Sequence, residues 1–61
     1  MSCVVNPGNT PVEVARWVIA PSSSKATHSI TGQEVDQLPD KVADSLIVRT
    51  LVGRRILVYQ K

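Results

Sequence analysis

The 61-residue chain is long enough for a single domain and carries few reactive side chains. A domain of this size buries only about 60% of the surface that its unfolded chain exposes, so many such domains rely on disulfides, metals or partners. One Cys and one His exclude an internal disulfide and a four-ligand zinc site. With 43% hydrophobic residues and a net charge of +2, the composition is that of a folded chain. We therefore expect stabilising association with protein partners.

The sequence contains no membrane or secretion signal that we recognise. No apolar run approaches the roughly eighteen residues of a transmembrane helix. Residues 1–19 are interrupted by polar residues and do not resemble a signal peptide. We expect no membrane partner. We also expect the protein to be intracellular or part of a particle assembled inside a cell.

Two early segments rich in β-branched residues predict strands. The first is the run 3–5, and the second spans Val12–Ile19. Both faces of the second segment carry apolar side chains, so it is either covered on both sides or bent near Ala15 and Arg16. We predict strand over this segment, in one piece or two.

Turn-forming residues separate these strands and delimit a third. Pro, Gly, Asn and Ser are concentrated at 6–11 and at 20–24, which predicts turns there. Residues 25–30 alternate weakly and are mostly polar, which favours an edge strand. Residues 1–30 together predict a β-meander.

Residues 31–37 carry a helix-start signal. Thr31 and Glu34 have the spacing of a capping box, in which a hydroxyl and a carboxylate bond the first free amides of a helix. Pro39 limits this predicted helical turn to about 33–37, because the residue before proline avoids the α region.

A second helix is predicted from Pro39 to Val52. Proline is favoured at the first helical position, and Gly53 is a suitable residue to end the helix. The predicted apolar face consists of Val42, Ala43, Leu46, Ile47, Thr50 and Leu51.

The last residues, 54–61, predict a final strand with apolar side chains on both faces. Such a strand is either central in a sheet or completed by another protein. We predict a small α+β fold in one domain: an antiparallel β-meander (1–30), a helical part with one amphipathic helix (31–53), and the C-terminal strand. The predicted protein-interface residues are Trp17, Ile56, Leu57, Val58 and Tyr59. Trp17 is equally compatible with a place in the core.

No group of residues predicts catalysis, a metal site or a cofactor site. His28 lies in a polar stretch, and its neighbour Ser29 would point to the opposite face of a strand. Cys3 has no nearby residue that would activate its thiol. Capping and solvation account for the three carboxylates spaced along the helical part, Asp36, Asp40 and Asp44. We predict that the protein is not an enzyme.

Three arginines, Arg49, Arg54 and Arg55, form a possible basic patch. Such a patch neutralises phosphates in nucleic-acid-binding proteins. Trp17 and Tyr59 are the only aromatic residues, too few for a base-stacking platform. The alternative role for these arginines is to bond helix carbonyls and pair with acidic groups of a neighbouring protein.

The order of motifs resembles that of small accessory proteins from tailed-bacteriophage structural gene clusters. The matching residues are Val4-Val5-Asn6-Pro7, Pro11-Val12-Glu13-Val14, Val18-Ile19-Ala20-Pro21, Val35-Asp36-Gln37-Leu38-Pro39, the Val42–Val52 helix and the strand Ile56-Leu57-Val58. The Ser22–Ser24 segment and the Arg54-Arg55 pair depart from that pattern.

The resemblance implies a non-enzymatic structural virion protein, assembled in the bacterial cytoplasm. Such a protein would be a capsid decoration or cement subunit, or part of the head–tail connection. Its expected partners are capsid or neck proteins and copies of itself. The alternative function is that of a small basic nucleic-acid-binding or regulatory protein. An inhibitor module that caps an enzyme is a third possibility, supported by size alone.

Overall fold

The computed structural model describes residues 3–60, which form six short strands and two helices. In chain order these are β1 (Cys3–Val5), β2 (Val12–Val14), β3 (Trp17–Ile19), β4 (Ala26–His28), β5 (Glu34–Val35), α1 (Asp40–Ala43), α2 (Leu46–Gly53) and β6 (Val58–Gln60). The strands make two antiparallel sheets: β2, β3, β4 and β5 form a meander, and β1 pairs with β6. The predicted α+β fold, with an antiparallel β-meander and a C-terminal strand, is confirmed. The meander consists of β2–β5 and not of residues 1–30, because β1 pairs with β6.

The first hairpin of the meander turns at Ala15 and Arg16. Both residues have positive φ, 46° and 69°, and they connect the ladder pair Val14 and Trp17. Two left-handed residues in a two-residue hairpin loop are the geometry of a type I′ turn, whose twist matches that of the flanking strands. The predicted strand Val12–Ile19 is therefore two strands, β2 and β3, separated by the turn at Ala15 and Arg16.

Residues 31–37 form a turn and the short strand β5 (Glu34–Val35) in place of a helical turn, so the capping-box prediction is wrong. Gly32, at φ 76°, turns the chain back, and the Gln33 carbonyl accepts the His28 amide at 2.8 Å. The Thr31 hydroxyl accepts the Gln33 amide at 3.3 Å, which closes a local turn. The segment before Pro39 is too short to offset the cost of helix nucleation, whereas pairing with β4 satisfies its backbone at once.

The strand β4 lies inside the meander and not at its edge. It pairs with β3 on one side, through Val18 and Thr27, and with β5 on the other, through Thr27 and Glu34. The prediction that residues 25–30 form an edge strand is wrong. Their second neighbour in the sheet is β5, a segment that was itself predicted to be helical.

The predicted single helix is divided into two by Asp44 and Ser45. The Ser45 hydroxyl donates to the Val42 carbonyl at 2.6 Å, at the end of α1. Serine side chains that bond nearby backbone compete with the helical hydrogen-bond pattern. The interruption shifts the phase of the second helix relative to the first.

The phase shift changes which residues of α2 are buried. Val48 is fully buried, and Leu51 and Val52 pack against the core. Leu46 and Ile47 were predicted on the buried face, but they are 80% and 47% exposed. The prediction was wrong because it assumed one continuous helix with a single apolar face, whereas the helix is interrupted at Asp44 and Ser45.

The C-terminal end of α2 is a Schellman motif. The Ile56 amide donates to the Leu51 carbonyl at 2.9 Å, and the Arg55 amide donates to the Val52 carbonyl at 3.0 Å. Arg55 has φ 63° and occupies the left-handed C′ position. Gly53, predicted for this position, is the last helical residue.

One hydrophobic core lies between the sheets and the helices. Its buried apolar residues are Val4, Val14, Trp17, Ile19, Ala26, Leu38, Ala43, Val48 and Leu57. The predicted strand from Ile56 to Gln60 is observed from Val58 onward. Lys61, the last residue of the predicted segment 54–61, lies outside the described residues.

Candidate protein-interaction surface

The side chain of Asn6 holds β1 against the meander. It is 1% exposed, and its amide nitrogen donates to the carbonyls of Thr10 at 2.7 Å and Ile19 at 3.2 Å. Its amide oxygen accepts the Gly8 amide at 3.0 Å. The Asn6 backbone also exchanges two hydrogen bonds with Ser23, at 2.9 and 3.2 Å. This residue therefore fixes the position of the β1–β6 pair, which we call the terminal ribbon.

The terminal ribbon has an inner and an outer face. Val4 lies opposite Tyr59, and Val5 lies opposite Val58. Residues directly opposite in an antiparallel pair share a face, and successive residues alternate. Val4 is fully buried and the Tyr59 hydroxyl donates to the Ala43 carbonyl at 3.3 Å, so this pair faces the core and α1. Val5 and Val58 belong to the outer face.

Three large apolar or aromatic side chains at the C-terminal end of the chain remain accessible. Ile56, Val58 and Tyr59 are 41%, 38% and 41% exposed, and we call them the C-terminal surface. Leu57, between them in sequence, is fully buried. Of the predicted interface residues, these three are accessible to a partner, whereas Leu57 belongs to the core.

The structure places Trp17 in the core, where its side chain is 9% exposed. Its ring meets His28 edge to face, with 5.0 Å between centroids. The His28 Nδ1 atom also accepts the amides of Ile30 and Thr31, both at 3.2 Å. Of the two roles considered for Trp17, the structure therefore shows the core role. His28 has a structural role that the sequence analysis missed, since it depends on pairing between separate strands.

The sequence analysis also missed the exposed apolar residues at the start of α2. Leu46 and Ile47 lie three and four residues after Ala43, whose carbonyl accepts the Tyr59 hydroxyl. Three residues span at most about 11 Å between Cα atoms, so Leu46 starts close to the Tyr59 end of the C-terminal surface. Ile30, which is 67% exposed, lies in the separate turn between β4 and β5.

The charged candidates are exposed. Arg49, Arg54 and Arg55 are all accessible, and Arg55 lies three residues before β6. The carboxylates Asp36, Asp40 and Asp44 are exposed as well.

The described residues present no recognisable small-molecule or metal site. Across 3–60, no three His, Cys, Asp or Glu side chains are grouped closely enough to hold a metal ion. No concave pocket occurs in the same part of the chain. None of the described helices has the length and apolar character needed to cross a membrane.

Comparison of the chain with protein-family models, curated proteins and solved structures finds no match.

Proposed function

We propose that the protein is a non-enzymatic structural virion subunit that binds to and stabilises a larger assembly. The observation that carries this proposal is the C-terminal surface, Ile56, Val58 and Tyr59, which is exposed although the adjacent Leu57 is fully buried in the core. The proposed sites are the capsid, as a decoration or cement subunit, or the head–tail connection.

The exposed apolar side chains support dependence on a partner. Leu46 and Ile47, which are 80% and 47% exposed, add to the exposed apolar area of the C-terminal surface. A partner that binds only the folded state would stabilise the subunit by mass action.

The resemblance to phage accessory proteins supports the virion as the assembly. The Val4–Pro7 motif contains Asn6, whose buried amide anchors the terminal ribbon. The motif at 35–39 supplies the end of β5 and the buried Leu38. These motif residues thus have structural roles, as we expect in an attachment protein without catalytic residues.

Quantitative mass spectrometry of purified virions tests the proposal. Particles are prepared from the genome that encodes the chain, with either wild-type protein or the double variant Ile56→Thr/Val58→Thr. Threonine keeps the β-branched shape suited to a strand but replaces a methyl or ethyl group with a hydroxyl. We expect the wild-type protein at a fixed ratio to the capsid protein, and at least a tenfold loss for the double variant.

Ile30→Thr is the matched control, because Ile30 is more exposed than either residue and lies in another part of the chain. Folding of each variant is checked by circular dichroism. Absence of the wild-type protein from particles would refute the proposal, as would equal incorporation of the folded double variant.

The alternative is a small basic nucleic-acid-binding or regulatory protein. The exposure of Arg49, Arg54 and Arg55 favours it, because exposed guanidinium groups are available to phosphates. Titration with duplex and single-stranded DNA at low and moderate salt tests it. Salt-sensitive binding that is lost in the triple Gln variant would support this function, and absence of binding at low salt would remove it.

A further inference from the structure

We infer that the outer edge of β6 binds an extended acidic segment of a partner protein, which adds as a strand beside Tyr59. This inference rests on the proposed function, because it specifies how the C-terminal surface docks. The first step is the direction of the backbone groups in the terminal ribbon. In a strand, the N–H and C=O of one residue point to the same edge, and those of the next point to the opposite edge.

The hydrogen bonds of Asn6 determine these directions. Its N–H and C=O both bond Ser23 on one edge of the β1 segment, so those of Val5 point to the other edge, toward β6. Val5 and Val58 are then a hydrogen-bonded pair, and Val4 and Tyr59 are a non-hydrogen-bonded pair. The N–H and C=O of Tyr59 consequently point away from β1.

An independent hydrogen bond agrees with this direction. The Leu57 amide, two residues before Tyr59 and pointing the same way, donates to the Leu51 carbonyl at 3.3 Å. The end of α2 therefore covers the outer edge at Leu57. At Tyr59, none of the backbone hydrogen bonds among residues 3–60 reaches this edge.

The open edges of the two sheets differ in charge. The meander ends at β2, which contains the exposed Glu13, and at β5, which contains the exposed Glu34. Charged residues on edge strands oppose pairing with further strands. The three residues of β6 include no charged side chain and are all exposed. The outer edge of β6 is therefore the one best suited to strand addition.

Charge indicates the chemistry of the added strand. Residues 45–61 contain four basic residues and no acidic one, whereas residues 1–44 contain five acidic and three basic residues. Arg54 and Arg55 are exposed and lie within about 15 Å of Val58 along the chain. An extended segment with alternating acidic and apolar residues would place its apolar groups beside Val58 on the outer face, and its carboxylates would complement the charge of these arginines. A nucleic acid would leave the apolar side chains uncovered, so the structure favours a protein segment.

NMR titration of the full chain tests the inference. The probe is the synthetic peptide acetyl-Val-Glu-Val-Glu-Val-Glu-amide, and the comparison peptide has Lys at each Glu position. We expect the acidic peptide to shift the Tyr59 amide resonance and slow its hydrogen exchange, with no such effect from the basic peptide. Arg54→Gln/Arg55→Gln should weaken binding about tenfold, because two partly screened ion pairs are lost. The control Arg16→Gln/Lys25→Gln makes the same change in net charge elsewhere and should leave binding within about twofold.

A backbone change distinguishes strand addition from contact through side chains. The chain is short enough for chemical synthesis, so an ester can replace the Tyr59 amide while its side chain is retained. Loss of this donor should weaken binding by about a further tenfold. The same ester at Asn9, in an exposed loop, should have no effect.

Three results would overturn the inference. The first is no response of the Tyr59 amide to the acidic peptide, and the second is the same response to a short oligothymidylate. The third is the same response when the protein concentration is raised without peptide, which would indicate self-association. If the peptide fails but Ile56→Thr/Val58→Thr still abolishes incorporation into virions, the proposed function stands without strand addition. If the peptide binds but the protein is absent from virions, the proposed function fails alone.

Discussion

Substitution of Asn6 by Asp tests whether one buried amide holds the terminal ribbon in place. Asp has nearly the same shape as Asn, and its carboxylate can still accept the Gly8 amide. It has no N–H groups for the carbonyls of Thr10 and Ile19, which now accept at 2.7 and 3.2 Å. The substitution therefore removes two donated hydrogen bonds and leaves a third in place.

The expected loss is large for so small a protein. The two hydrogen bonds contribute about 1 kcal/mol each, and a buried carboxylate facing two carbonyl oxygens adds about 2 kcal/mol or more. We therefore expect Asn6→Asp to lower the free energy of unfolding by about 4 kcal/mol. A domain of this length has about 3–9 kcal/mol in total, so the variant should be mostly unfolded or close to it.

Urea denaturation followed by Trp17 fluorescence measures this loss, because Trp17 is the only tryptophan and is buried. Asn9→Asp is the control, since it makes the same chemical change at an exposed loop position and should shift stability by less than about 0.5 kcal/mol. Acidic conditions should restore part of the stability of Asn6→Asp, because a neutral carboxyl can donate to one of the two carbonyls. A loss below about 1 kcal/mol at neutral pH would refute the proposed role of Asn6.

Three further predictions concern the end of α2, the turn between β2 and β3, and the contact of His28 with Trp17. Each is measured by urea denaturation. Arg55→Gly should stabilise the fold by about 1 kcal/mol because glycine adopts φ 63° without strain, and a destabilised variant would contradict the Schellman geometry. Ala15→Asn with Arg16→Gly should stabilise by about 1–2 kcal/mol, since these residues suit a type I′ turn; no gain would argue against two left-handed residues there. His28→Phe should keep the edge contact with Trp17 but lose two accepted hydrogen bonds, at a cost of about 1–2 kcal/mol. Unchanged stability and unchanged amide exchange at Ile30 would contradict that last prediction.

The strands at the start of the chain could be predicted because their signals are local. β-Branched residues alternate with dense turn residues, and the apolar faces of Val12–Ile19 indicated either two covered faces or a bend. The structure has the bend, at Ala15 and Arg16. Neither residue of this turn is Asn or Gly, so the sequence predicted the place of the turn but not its type.

The middle of the chain could not be predicted from local signals. The Thr31–Glu34 spacing suits a helix start, but pairing with β4 satisfies the same backbone groups and determines the structure. The break at Ser45 contains neither Gly nor Pro, and its effect on Leu46 depends on a hydrogen bond to Val42. Tertiary pairing and a single side-chain bond therefore outweigh propensity in this region.

The candidate surface could be predicted in part. Apolar residues on both faces of the last strand predicted either a central strand or one completed by another protein, and Ile56, Val58 and Tyr59 are exposed. Leu57 could not be distinguished from its neighbours, because its burial depends on how the Schellman turn positions the strand under α2. Asn6 and His28 were missed because part of the environment of each is distant in sequence: Ile19 and Ser23 for Asn6, and the Trp17 ring for His28.

Competition for incorporation tests the central claim, which is that the C-terminal surface docks the protein on a virion. Wild-type protein and Ile56→Thr/Val58→Thr, produced together in one host, are quantified by mass spectrometry in the soluble fraction and in purified particles. The account predicts equal amounts in the soluble fraction and at least a tenfold excess of wild-type protein in particles, with Ile30→Thr competing equally. Equal amounts of the double variant and wild type in particles would contradict it.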